Sequence, residues 1–205
     1  MKIKENVYLL DSSIGSHVYL IKGKENVLID TGLPFVRGRM LKELKEIGIE
    51  FSEIKHILLT HHDMDHIGNL ECLLKLTGAD VWASQEDIPY IYGDIDRSNR
   101  KKYLKYIFKS NVPRIIKPYG SEGSVDWVEV IPTPGHTPGH VCLLYQDVLI
   151  AGDLVENKKG KLIPFHGWLN WNDEKTEESA KLLNHIKVSW ICPGHGKPLM
   201  KDAER

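Results

Sequence analysis

The sequence predicts an α/β fold, and three observations carry that prediction. Short apolar runs of strand length alternate with segments whose apolar residues recur at helical spacing. No Pro/Gly/Ser linker or composition break divides the 205 residues, a length that can bury one substantial core. Ionisable residues gather repeatedly where a strand-like run ends, usually beside Gly or Pro. The chain is therefore expected to be a single domain over residues 1–205.

Runs at 7–10, 17–22 and 26–29 read as an antiparallel meander whose last strand ends in Asp30-Thr31-Gly32. A helix over 36–47 places Val36, Met40, Leu44 and Ile47 on one face and stops at Gly48. A strand over 54–60 then runs into the turn that carries His61, His62, Asp63, Asp65 and His66. Helical spacing over 67–76, closing near Gly78, and a return to the sheet at 81–83 follow. From about 84 to 119 the rhythm changes to Tyr90, Tyr92, Tyr103, Tyr106 and Phe108 mixed with basic residues. This reads as a helical insertion, in the first place a packing element and in the second a substrate lid.

Strands are expected again at 126–131, 141–145 and 148–151. Between the first two, PTPGHTPGH presents His136 and His140 on a turn stiffened by Pro132, Pro134 and Pro138, where Gly135 and Gly139 permit close approach. Asp153 stands at a strand end. His166, Trp168 and Trp171 follow, the tryptophans reading as core and the histidine as near enough to Asp153 to line a pocket. A helix over 173–186 and a strand over 188–192 deliver His195 inside Pro-Gly-His-Gly.

Composition excludes some functions. A net charge of −1, from 27 basic and 28 acidic residues, gives no general attraction for nucleic acid or an anionic membrane, which leaves room for local basic patches, notably at 97–109. No apolar stretch is long enough to span a bilayer, and the N-terminal residues lack a signal-like apolar core. Cys72, Cys142 and Cys192 are too few and scattered for a disulfide framework, which fits a cytoplasmic protein. A small-molecule partner is expected, and the oligomeric state is left open.

The turn at 61–66 holds five ionisable side chains in six residues. In an extended segment His61, Asp63 and Asp65 point one way and His62 and Met64 the other, so His62 is expected to pack or cap. His66, at the helix start, can turn back towards the first set. For one histidine a solvated loop would suffice as an explanation. For the whole cluster, with no Lys, Ser or Gly between its members, metal ligation is the better reading. Asp30 can orient one of these histidines from behind.

In order, His61, Asp63, Asp65, His66, His136, Asp153 and His195, with the segments LIDTG, GHTPGH, LIAGD and PGHG, resemble the metallo-β-lactamase superfamily over residues 7–195. Those segments are close to the family's usual wording in the hydrolase branch that includes glyoxalase II and lactonases. The resemblance implies a four-layer αββα sandwich and two divalent metal ions, zinc by family habit. It assigns one ion to His61, Asp63 and His136, the other to Asp65, His66 and His195, and makes Asp153 the bridge. It also implies hydrolysis of an ester, thioester or lactone by a metal-bridged hydroxide, with Asp153 and Asp65 as catalytic residues and Asp65 holding or relaying the proton. Asp30 and His140 are candidates for supporting the ligands. One position departs from the family's HxHxDH: this chain has Asp63, giving HxDxDH. A third carboxylate makes for a weaker Lewis acid and shifts the ligand set towards iron or manganese. Flavodiiron proteins have Glu there, so the second reading is a di-iron protein that binds or reduces oxygen or nitric oxide with a separate electron donor.

Overall fold

The computed structural model describes residues 1–96, 112–120, 123–125, 127–167 and 169–201. The basic patch, the aromatic residues Tyr103, Tyr106 and Phe108 of the expected insertion, Asp126 and Trp168 lie outside the described residues.

The first sheet has the order β1 (Lys2–Lys4), β2 (Val7–Leu9), β3 (Tyr19–Ile21), β4 (Asn26–Ile29), β5 (Ile54–Leu58), β6 (Asp80–Ala83) and β7 (Lys117–Pro118). The first four strands form the expected antiparallel meander, extended by β1, which the sequence reading did not contain. From β4 onwards pairing is parallel, with α1 (Arg37–Glu46) crossing to β5 and α2 (Met64–Ile67) and α3 (Leu70–Thr77) crossing to β6. A short α4 (Ile88–Tyr92) follows.

The second sheet is built from β8 (Ser124–Val125), β9 (Val128–Pro132), β10 (Val141–Tyr145), β11 (Val148–Lys158), β12 (Lys161–Pro164), β13 (Trp190–His195) and β14 (Leu199–Met200). Its order is β14-β13-β11-β10-β9-β8, with β12 also on β11. Helix α5 (Asp173–Leu182) leads into β13, which runs parallel to β11.

Side-chain alternation along the strands sorts the apolar residues into three packed layers. Val27 and Ile29 of β4 meet Leu143 of β10 and Ile150 of β11 between the sheets, while Leu28 turns to Met40, Leu44, Leu70 and Leu73 of the helices. On the far side Cys142, Leu149 and Ala151 pack with Leu183 and partly buried Ala180 after the chain has passed through α5. Burying a Leu, Ile or Val fully is worth about 1.5–3 kcal/mol. Because every central strand is covered on both faces, the layers are helix, sheet, sheet, helix: the αββα sandwich. No helix among the described residues is long and apolar enough to cross a membrane.

Three elements differ from the sequence expectation. The helix expected over 67–76 is broken at Gly68-Asn69. Thr31 takes the His66 carbonyl, through both its N–H (2.6 Å) and its hydroxyl (2.9 Å), and the Asn69 N–H turns to Thr31 Oγ1 at 3.2 Å. The strand expected to end at 151 continues to Lys158 and returns as β12 through a two-residue turn in which Lys159 and Gly160 both have positive φ. Finally, α5 stops at Leu182, and β13 continues past Cys192 to take His195 into the ladder opposite Glu156.

Candidate metal centre

The site is assembled at the ends of β4, β5 and β13 and beside the middle of β11, which carries Asp153. Thr60, just past β5, donates its backbone N–H (2.8 Å) and its hydroxyl (2.7 Å) to the Asp30 carboxylate. Its carbonyl accepts the N–H of Val141 from the second sheet at 3.0 Å. The two sheets are thus joined immediately before His61. The chain stays extended to Asp63 (φ −69°, ψ 148°) and then enters α2, which turns Asp65 and His66 inwards.

Three overlapping sets of side chains bring their donor atoms within 4.8 Å of one another: His61, Asp63 and His136; His61, His66 and Asp153; and Asp65, His66 and His195. In the first, Asp63 Oδ2 lies 3.0 Å from His136 Nε2 and 3.7 Å from His61 Nε2. In the last, Asp65 Oδ2 lies 3.5 Å from His195 Nε2 and 3.7 Å from His66 Nε2. Asp153 stands between them: Oδ2 is 3.2 Å from His195, 3.5 Å from His136 and 3.9 Å from His61, while Oδ1 is 3.3 Å from His66.

The ring nitrogens facing away from the centre are engaged. His66 Nδ1 donates to Asp30 Oδ2 at 2.8 Å, His136 Nδ1 to Asn170 Oδ1 at 2.7 Å, and His61 Nδ1 to Thr60 Oγ1 at 3.0 Å. With Nδ1 as the donor in each ring, the Nε2 lone pair is aimed at the centre, the arrangement that metal-binding imidazoles require. Among the described residues His61 Nε2, His66 Nε2 and Asp153 Oδ1 are buried without a hydrogen bond. Each such group costs about 1–3 kcal/mol. Two ligand atoms about 2.1 Å from a tetrahedral cation stand about 3.4 Å apart, the spacing found across this cluster. The donor set fits divalent cations.

Electrostatics point the same way. Burial would raise the Asp153 carboxyl, but the imidazole of His66 and its other histidine neighbours hold it well below the usual carboxylate range. Against burial, Asp153, Asp30 and Asp65 hold the His66 ring well above the usual histidine value. Burial and neighbouring carboxylates raise Asp65. The carboxylates draw a proton to His66, and a cation bound there would displace it and free the Nε2 lone pair.

The other expected residues divide clearly. Asp30, 1% exposed and at φ 60°, supports His66 and Thr60 together. His140 is equally buried and faces the backbone of Asp153, whose N–H it accepts on Nε2 at 3.1 Å; its Nδ1 meets Thr133 Oγ1 at 2.9 Å. Burial, with His136 nearby, pushes its pKa down to about 3, so the ring is neutral and Nε2 can accept. His62 packs, as expected, stacked on Tyr90 with ring centroids 4.5 Å apart. His17 Nε2 lies 2.6 Å from the Gly196 carbonyl, beside the His195 turn. His166 is half exposed, near Asp173 and Glu177 rather than the ligand sets. Trp171, expected in the core, is 40% exposed and lies under Lys175, because its loop runs over the surface to bring its N–H to the His136 carbonyl. Cys142 and Cys192 are buried thiols pushed up to about 12 by burial, outside every ligand set.

Sequence reasoning missed Asn170, Asp87, Thr133 and Phe165. Phe165 places its ring edge-on against His136 at 4.9 Å and 5.8 Å from His195. Asn170 and Thr133 act through hydrogen bonds from ordinary-looking loops, and no sequence signal singles them out.

Comparison with known proteins agrees with this geometry. The model of the metallo-beta-lactamase superfamily matches residues 14–195. The probable metallo-hydrolase YflN of Bacillus subtilis (strain 168) is 31% identical over 221 residues, covering 95% of this chain and 81% of its own. The hydroxyacylglutathione hydrolase of Shewanella halifaxensis is 35% identical over 103 residues, covering 47% of this chain and 32% of its own. In structure, a metallo-beta-lactamase family protein of Thermus thermophilus superimposes with a TM-score of 0.74 at 24% identity, covering 97% of this chain and 76% of its own. With the family model spanning residues 14–195 and the fold matched over 97% of its length, the chain belongs to the metallo-β-lactamase superfamily.

Proposed function

We propose that this metallo-hydrolase holds two divalent ions and cleaves an ester, thioester or lactone bond in a small molecule. His61, Asp63 and His136 would hold one ion and Asp65, His66 and His195 the other. The observation that carries the reading is Asp153, which turns one oxygen to His61, His136 and His195 and the other to His66. When bound, the ions would make water nucleophilic near neutral pH and stabilise the developing oxyanion. The chain supplies the rest. The Asp65 carboxylate would take the proton of the attacking water and return it to the leaving group.

Access is one-sided. His61, His66, His136 and Asp153 are at most 3% exposed, whereas the side chains of Asp65 and His195 are 27% and 29% exposed. Substrate would therefore enter past Asp65 and His195, with Phe165 as an apolar wall. Two of the relatives named above carry hydrolase names, a probable metallo-hydrolase and a hydroxyacylglutathione hydrolase, which favours hydrolysis over a di-iron redox role. Zinc is the ion of first choice, and the third carboxylate, Asp63, admits manganese or iron. Buried thiols without disulfides favour a cytoplasmic location.

Metal analysis and a panel of aryl esters, thioesters and lactones, assayed after loading with zinc, manganese or iron, test the proposal. Asp153→Asn and His136→Ala should lose bound metal and turnover together. Full metal content and full turnover in either variant would overturn it.

A further inference from the structure

Asp87 lies between β6 and α4, is 1% exposed, and has a part that no ligand assignment gives it. Its Oδ1 accepts the Gly139 N–H at 2.8 Å. Its Oδ2 accepts the His62 N–H at 3.0 Å and the Thr137 hydroxyl at 2.8 Å, and stands 3.0 Å from His62 Nδ1. His62 is flanked in the chain by His61 and Asp63, and Thr137 follows His136. One carboxylate therefore ties the loop that carries His61 and Asp63 to the loop that carries His136. The contact is close: a methyl group added to Gly139 would overlap Ser84 Oγ and approach Asp87 Oδ1 to 2.8 Å. Burial would raise this carboxyl, but His62, Thr137 and Gly139 hold it below the usual range, so it is charged.

We propose that Asp87 is the positioning residue of the first metal site, setting how far the His61–Asp63 loop stands from His136 without touching the ion. This rests on the ligand assignment proposed above. Asp87 holds no partner on Asp65, His66 or His195 among the described residues, so its influence is selective between the two sites. Tyr90 of α4 stacks on His62, so the beginning of the 84–119 segment is coupled to the same clamp.

Asp87→Asn is the direct test. Whichever way the amide turns, its NH2 group faces either the Gly139 N–H or the His62 N–H, a donor against a donor. Thr137→Val removes one strand of the clamp while leaving the carboxylate in place, and serves if the first variant does not fold. Apoprotein is titrated with zinc and with manganese by calorimetry. The first-site affinity should fall about 10–100-fold in Asp87→Asn, the usual range for residues that support ligands. Second-site affinity should hold near its wild-type value, and excess metal should restore kcat. Equal weakening of both sites, or no change in either, would overturn the proposal. His136→Ala in the same titration separates the two layers of inference: if it keeps both binding steps, the ligand assignment itself has failed, whatever Asp87 does.

Discussion

His140 Nε2 accepts the backbone N–H of Asp153 at 3.1 Å, so the second histidine of PTPGHTPGH holds the aspartate that faces His61, His66, His136 and His195. The bond exists because β11 is irregular at this point. Its register to β13 slips between Ile150 and Gly152, and Gly152 takes φ 49°, which frees the next N–H from the ladder. His140→Ala would leave that N–H buried and unsatisfied and open a void, costing about 2–4 kcal/mol. Urea denaturation of the apoprotein should show the loss, and bound metal should fall with it. Wild-type stability in this variant would mean that the bulge holds Asp153 unaided.

Asp30 supports two elements with one carboxylate, accepting from Thr60 N–H, Thr60 Oγ1 and His66 Nδ1. Asp30→Asn must turn an NH2 group against one of these donors and removes the charge that sharpens the basicity of His66. Metal affinity should drop about 10–100-fold, read by competition with a chromophoric chelator. Circular dichroism should stay unchanged, since the packed layers do not pass through this residue.

Much of this was legible in the sequence, for a physical reason. His61, Asp63, Asp65, His66, His136, Asp153 and His195 sit just past apolar runs, the last three beside Gly, and side-chain alternation separates His62 from its neighbours. Asp87 and Asn170 were not legible, because each acts on a partner 34 or more residues away, Asn170 on His136 and Asp87 on Thr137, through bonds that leave no periodic trace. The break at Gly68-Asn69 was hidden likewise, since Thr31 causes it from another strand end. The β12 strand escaped notice because its residues are polar or only partly covered, so it lacks the apolar run that marks β10.

Gly194 is a close-packed position beside the site. A Cβ there would overlap Asp153 Oδ1 and stand 2.9 Å from His66 Cε1 and 3.2 Å from the Gly152 backbone. Gly194→Ala must therefore push the Asp153 carboxylate aside while leaving the rest of the sandwich intact. Displacements of about 1 Å in a reacting group typically lower rates about 100-fold. Turnover should fall by about that factor with little change in thermal midpoint of the apoprotein; unchanged kcat would show that Asp153 tolerates the shift.

In the proposed assignment Asp63 decides the character of the first ligand set. Its Oδ2 is 3.0 Å from His136 Nε2 and 3.7 Å from His61 Nε2, close enough for the shorter acid to share an ion with both rings. Asp63→Asn keeps the shape and removes the charge, so the first site should empty before the second, and the stoichiometry in a metal titration should fall from two to one. Asp63→His replaces a hard oxygen with an imidazole nitrogen, which favours zinc over manganese. The ratio of zinc to manganese affinity should rise at one site and hold at the other. A ratio unchanged at both would place Asp63 outside the ligand set and leave the first ion to His61, His136 and Asp153, whose Oδ2 already lies 3.5 Å from His136 Nε2.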